Sequence, residues 1–381
     1  MKGMIYIHVP FCKSRCIYCD FYSTVSSSDV KAAYVQAVCK ELEYRQGEIN
    51  GMEVQSVYFG GGTPSQLSAL DLGRICHSIL RNYNLSSAAE ITLEANPDDI
   101  TLGFVKELRS LGINRLSLGV QSFNDRILRF LRRRHDAEQA IQAVNTIYEG
   151  GIENISIDLM YGLPVQTFEE WKVNLDVAFS LPIRHLSSYA LSVENGTTLA
   201  KLLDKGQISA IGEESFLSQY ERLIDEALKH GFNHYEISNF AKPGFESCHN
   251  SSYWNETPYI GVGPGAHSYD GKSLRRMNRP DLSSYIASPG SPFHEDEHLS
   301  LKERFNETVF TALRTANGIN IDGLQCNYPF SWCKTLLAQA ESHIQARRLE
   351  LTAENRLKLT RNGLFVSNDI MSDFMLLEED I

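Results

Sequence analysis

Short runs of β-branched and aromatic residues recur through the first half of the chain, separated by longer stretches whose apolar residues fall at helical spacing. The runs are MIYIHV from Met4, VQSVYF from Val54, EITLEA from Glu90, RLSLGV from Arg115, ISIDLM from Ile155 and HLSSYAL from His185. Such runs read as strands, and their alternation with helical segments reads as repeated βα units around a parallel sheet. Between the first two, Asp29 to Arg45 sets Ala33, Val35, Ala37, Val38 and Leu42 against a sheet. Leu102 to Leu111 predicts a second helix, stopped at Gly112 as helices commonly stop on glycine.

Polar residues gather where each strand ends. A cysteine cluster follows the first strand and Gly60-Gly61-Gly62-Thr63-Pro64 the second; Glu94 and Asn96-Pro97 end the third, Gln121 the fourth, and Asp158 lies in the fifth. In a parallel barrel all strand carboxyl ends open on one face, so these scattered residues would meet at one site. A doubly wound sheet would use fewer strand ends, at one switch point. The predicted fold class is therefore α/β, a partial (β/α)6 barrel over residues 1–285.

From about Pro280 the texture changes, and PDLSSYIASPGSPFHEDEHLS reads as a linker or surface crossing. Residues 286–381 predict a smaller C-terminal α+β domain, helical and winged-helix-like. Its helices are expected near Leu301 to Thr315 and Ser331 to Arg347, before a compact end that begins LELTAENRLKL.

Composition narrows the function classes. At 43% hydrophobic and 22% charged, 381 residues make an ordinary globular chain. A net charge of -11 repels a phosphate backbone, so nucleic acid is not expected as the main partner, the local basic run Arg132, Arg133, Arg134 notwithstanding. No run of about 18 apolar residues predicts a transmembrane segment, and MKGMIYIHVPF lacks the features of a signal peptide. The expected location is cytoplasmic, where eight cysteines read as metal ligands or buried thiols rather than disulfides.

Three of them are concentrated. Cys12, Cys16 and Cys19 lie in a C-x-x-x-C-x-x-C loop just past the first strand. Three thiolates on a four-iron cube leave one iron open to a small molecule. Zinc would need a fourth ligand, from His8 or a distant histidine, and the triad alone leaves both metals open.

The stretch YIHVPFCKSRCIYCDF resembles the cluster loop of radical S-adenosylmethionine (SAM) proteins of the oxygen-independent coproporphyrinogen III oxidase family. The resemblance implies a 4Fe-4S cluster on Cys12, Cys16 and Cys19, with SAM on the open iron. FGGGTPS, EANP, GVQSFN, RRRH and DLMYGLP match further motifs of that family in order. They carry over Tyr6, Gly61, Gly62, Thr63, Glu94, Gln121, Arg133 and Asp158 as SAM-binding positions, Arg133 being chosen by its spacing from Gln121. The chemistry agrees: glycines admit a close backbone, Glu94, Gln121 and Asp158 supply acceptors, and an arginine fork suits a carboxylate. Taken alone, the glycine run is equally a tight βα turn.

In the oxidase branch a further cysteine stands two positions after the third, where this chain has Phe21. That departure argues against coproporphyrinogen oxidation, and C-D-F is similar instead to the loop of the family's heme-chaperone branch. His249-Asn250-Ser251-Ser252-Tyr253-Trp254 is similar to the H-N-x-x-Y-W motif linked to heme in that branch. The resemblance implies heme binding at His249, Asn250, Tyr253 and Trp254, and heme delivery to an unidentified acceptor protein. Imidazole is a standard axial ligand, although His249 reads equally as a hydrogen-bonded loop histidine and the aromatics as core. Cys248 offers a second candidate ligand, and Gly261 to Tyr269 reads either as a ligand-facing loop with His267 or as a glycine turn. The alternative function is a radical SAM enzyme acting on a porphyrinogen. Peripheral membrane contact is expected if the acceptor is a respiratory protein, and the acidic surface is compatible with a homodimer.

Overall fold

Residues 2–49, 51–288 and 294–377 are described in a computed structural model of the chain. The six predicted strands are present as β1 (Lys2–Val9), β2 (Glu53–Gly61), β3 (Leu85–Ala95), β4 (Arg115–Gln121), β5 (Asn154–Tyr161) and β6 (His185–Ala190). They lie side by side in chain order, each parallel to the next. That unbroken order is the one a barrel uses and has no switch point.

Helices cover the outside of the sheet, and their ends follow from local sequence. Helix Ser28–Tyr44 buries Tyr34, Val35, Ala37, Val38, Glu41 and Leu42, so Tyr34 and Glu41 join the face that the apolar spacing predicted. Helix Leu102–Ser110 is capped by the Thr101 side chain and followed by Gly112 at φ +87°. Asp136 with Gln139, and Thr167 with Glu170, form capping boxes for Ala137–Glu149 and Phe168–Ser180. The latter buries Trp171 completely, its indole N–H donating to the Gln219 carbonyl at 2.8 Å.

The sheet continues beyond the predicted units. β7 (Asn233–Glu236) and β8 (Asn239–Ala241) form a hairpin whose second strand runs antiparallel to β6. On the other side β9 (Tyr259–Val262) pairs parallel with β1, followed by antiparallel β10 (His267–Tyr269), β11 (Leu274–Asn278) and β12 (His294–His298). The stretch expected to be a linker is thus a helix, Leu282–Ala287, and an edge strand, while 289–293 lie outside the described residues. The sheet therefore runs past residue 285, where the sequence placed the domain change. HEDEH at β12 reads as loop because it is a solvent-facing edge, which proteins commonly protect with charge.

A second core begins at Phe305 and joins Val309, Leu313, Leu324, Leu336 and Ile370. It follows the helical, winged-helix-like order: Leu301–Leu313, strand β13 (Ile319–Asn320), helices Ile321–Asn327 and Phe330–Gln345, then hairpin β14 (Leu349–Leu351) and β15 (Arg356–Leu359). It docks on the β7–β8 end of the large sheet, where Ile237 packs on its core and donates its N–H to the Arg314 carbonyl at 3.0 Å.

Candidate functional site

Period-two alternation along β1–β6 sends a polar or aromatic side chain inward from each strand. Tyr6 pairs in register with Tyr58, Glu94 with Ser117, and Asp158 with Ser187. The other positions of these strands are almost continuously apolar, as expected of a parallel sheet covered by helices.

The cysteine loop leaves β1 and is tied down at several points. Cys12 N–H donates to the Thr24 carbonyl at 3.0 Å, Thr24 N–H to Pro10 at 2.7 Å, and Leu199 N–H to Ile17 at 2.9 Å. All three thiols are free and half-buried. Cys12 Sγ faces the Thr63 hydroxyl at 3.5 Å, and Cys16 Sγ accepts from Arg133 Nη1 at 3.3 Å. Among the described residues no three His, Cys, Asp or Glu side chains converge as one ion requires. A four-iron cube is wider and takes each thiolate on a different iron, so three free thiols on one loop fit it. His8, considered above as a fourth zinc ligand, spends both ring nitrogens: Nδ1 on the Tyr6 hydroxyl at 3.2 Å and Nε2 on the Tyr22 carbonyl at 3.0 Å.

The predicted SAM positions surround the barrel mouth beside this loop. Gly61 has φ +105°, and a Cβ there would lie 2.6 Å from the His8 ring; one on Gly62 would lie 2.9 Å from the backbone of Val9 and Phe11. The left-handed φ of Gly61 and the close approach of the chain's own backbone to Gly62 demand glycine, as the tight-turn reading of this run expects. The Tyr58 hydroxyl donates to Glu94 Oε1 at 2.8 Å. Burial, with Asp158 adding to it, pushes Glu94 up to about 8, and burial pushes Asp158 up to about 6. Two carboxyls that resist ionisation suit a cationic ligand, which would draw their protons off. Gln121 turns the end of β4 at φ +69°, a rare conformation outside glycine.

Arg133 reaches inward from the basic run. Its Nη2 donates to Asn96 Oδ1 at 2.5 Å and to the Gly119 carbonyl, while its buried Nε has no partner. Arg132 is exposed, and Arg134 pairs with Asp98 at 2.6 Å. Of the three arginines, only Arg133 touches both the cysteine loop and β4. Sequence reading placed Asn96 at a strand end without a role, and missed Tyr58, whose signal was a polar residue at an alternate position of β2, and Asp99.

Helix Cys248–Trp254 carries the H-N-x-x-Y-W residues and closes one side of the barrel against β2. Glu90 of β3 accepts from Cys248 N and His249 N, both at 3.1 Å, placing a carboxylate on the helix start. His249 is 1% exposed, with Nδ1 on Ser56 Oγ at 2.9 Å and Nε2 on Tyr253 OH at 3.0 Å, and its ring stacks on Tyr58 at 5.0 Å. Burial lowers its pKa to about 3 and keeps it neutral. The expectation that His249 presents an open imidazole therefore meets a ring with no free nitrogen. Asn250 and Trp254 are half-buried; Trp254 lies under the Arg314 guanidinium at 5.2 Å, its indole N–H without a partner. Gly261 to Tyr269 spans β9, β10 and their turn, with His267 exposed on β10.

The first part of the chain, residues 6–178, matches the model of the radical SAM superfamily. The chain is 33% identical to heme chaperone HemW of Lactococcus lactis over 372 residues, covering 97% of each protein. It is 34% identical to heme chaperone HemW of Bacillus subtilis over 374 residues, covering 97% of this chain and 98% of that one. In fold it is similar to coproporphyrinogen III oxidase (HemN) from Escherichia coli, a radical SAM enzyme, with TM-score 0.84 and 23% identity over 98% of this chain and 90% of the other. The chain belongs to the HemW family of radical SAM proteins.

Proposed function

We propose that this protein is a heme chaperone that holds a 4Fe-4S cluster on Cys12, Cys16 and Cys19, binds SAM across the barrel mouth, and passes heme to an acceptor protein. The observation that carries the reading is similarity over nearly the whole chain to proteins named heme chaperone HemW. When bound, the cluster supplies an open iron for the methionine end of SAM and a source of one electron. Tyr6, Glu94, Gln121 and Asp158 accept from SAM, Gly61, Gly62 and Thr63 give it room, and Arg133 donates toward its carboxylate.

Heme is cargo in this reading. Asn250 and Trp254, both half-buried, face it, and Arg314, whose guanidinium lies over the Trp254 ring, offers donors to an anionic heme edge. His249 and Tyr253 brace the helix from behind. Action in the cytoplasm fits the absence, among the described residues, of any helix long and apolar enough to cross a membrane.

Transfer is the test. Protein loaded with cluster and heme is mixed with excess apomyoglobin under argon, and in parallel is offered coproporphyrinogen III with SAM and dithionite. A chaperone yields holomyoglobin and leaves the porphyrinogen unchanged. Decarboxylated product without heme release would make the chain an oxidase.

A further inference from the structure

Asp99 ends the short turn Pro97–Asp99 after β3, and its side chain is 5% exposed. Oδ1 accepts from Lys13 Nζ at 2.7 Å, with Arg134 Nη2 at 3.7 Å. Oδ2 accepts from Ser65 Oγ at 2.8 Å and Gln66 Nε2 at 2.6 Å. These donors come from three loops. Lys13 lies next to Cys12 in the cluster loop, Ser65 and Gln66 follow the Gly61-Gly62-Thr63 turn, and Arg134 follows Arg133, the donor to Cys16 Sγ.

Asn96, at the start of the same turn, accepts from Arg133 and donates to Thr63 Oγ1, which in turn faces Cys12 Sγ. The turn thus braces the cysteine loop from two sides. A buried carboxylate held by two cations and two neutral donors is fully satisfied, and removing it would leave the cations facing each other with the loops untied. Asp98 next door bonds only toward Arg134 and offers an internal control.

We infer that Asp99 is a positioning residue: it locks the cysteine loop to the glycine turn, so that cluster and SAM are held in one geometry. The inference rests on reading Cys12, Cys16 and Cys19 as cluster ligands.

The test uses the full chain reconstituted anaerobically as wild type, Asp99→Asn, Asp99→Glu, Asp98→Asn and Lys13→Met. One readout is the rate of iron loss to a chelator; the other is the SAM concentration that produces the SAM-induced change in the reduced cluster's EPR spectrum. For Asp99→Asn, loss of charge-assisted hydrogen bonds predicts iron release faster by about tenfold and a SAM requirement raised by about tenfold. Asp99→Glu recovers part of both, and Asp98→Asn stays near wild type. Asp99→Asn matching Asp98→Asn on both readouts overturns the inference. If Asp99→Asn fails to fold, the exposed Lys13→Met decides: iron loss faster by roughly threefold supports the tie and an unchanged rate refutes it. Wild type that takes up no iron would sink the cluster reading, an outcome distinct from variants that load alike.

Discussion

Glu94 lies inside the barrel with its carboxyl pushed up to about 8, by burial first and by Asp158 in smaller part. A carboxyl raised in the folded state stabilises the fold fully below its ordinary value of 4.5 and loses that contribution as pH rises through 8. The loss is at most ~1.4 kcal/mol per pH unit, so Glu94→Gln, which cannot ionise, should be more stable than wild type at pH 8 and close to it at pH 4.5. Urea denaturation at the two values checks this. His249→Ala has a different cost, since it removes a stacked ring and orphans the Ser56 and Tyr253 hydroxyls. A loss of ~2–4 kcal/mol is expected, while the half-buried Trp254→Ala loses less stability and more heme affinity. Comparing melting temperatures with hemin titrations of the two variants separates brace from contact. The residue types at this helix were legible in the sequence, but that His249 points inward onto Tyr58 was not, because a helix face is fixed only by what packs against it.

The glycine turn after β2 joins the two halves of the candidate site. A methyl group on Gly62 would meet backbone atoms of Val9 and Phe11 at 2.9 Å, and backbone cannot rotate away as a side chain can. Gly62→Ala should therefore displace the start of the cysteine loop, cutting iron incorporation several-fold while far-UV circular dichroism stays close to wild type. Full iron uptake by this variant would contradict the geometry. The strands that build the site were readable because most are apolar runs buried along nearly their whole length, as in β1, β4 and β5. β10, β11 and β12 were not, since strands of three to five residues toward one end of the sheet, LRRMN and HEDEH among them, carry no apolar period. Asp99 was invisible for another reason: an acid beside a proline turn reads as solvated until three loops close on it.

Across the whole molecule, several buried histidines oppose the buried carboxyls. His249 is lowered to about 3, and His135 and His234 to about 4, each mainly by burial. A histidine kept neutral stabilises the fold above its ordinary 6.5 and loses that contribution as pH falls toward the folded value. Acidification below 6.5 therefore costs stability through the histidines, and alkalinisation toward 8 costs it through Glu94. Stability should peak near pH 6.5, with the alkaline side flattened in Glu94→Gln; denaturation midpoints that climb steadily to pH 8 in wild type would refute this balance. The central claim, that this protein carries both heme and a cluster, is tested most directly by anaerobic hemin titration of the reconstituted protein, followed in the Soret band. The account predicts saturation near one heme per chain, weakened by Trp254→Ala with the cluster intact. Absence of saturable binding to the cluster-loaded protein would contradict it.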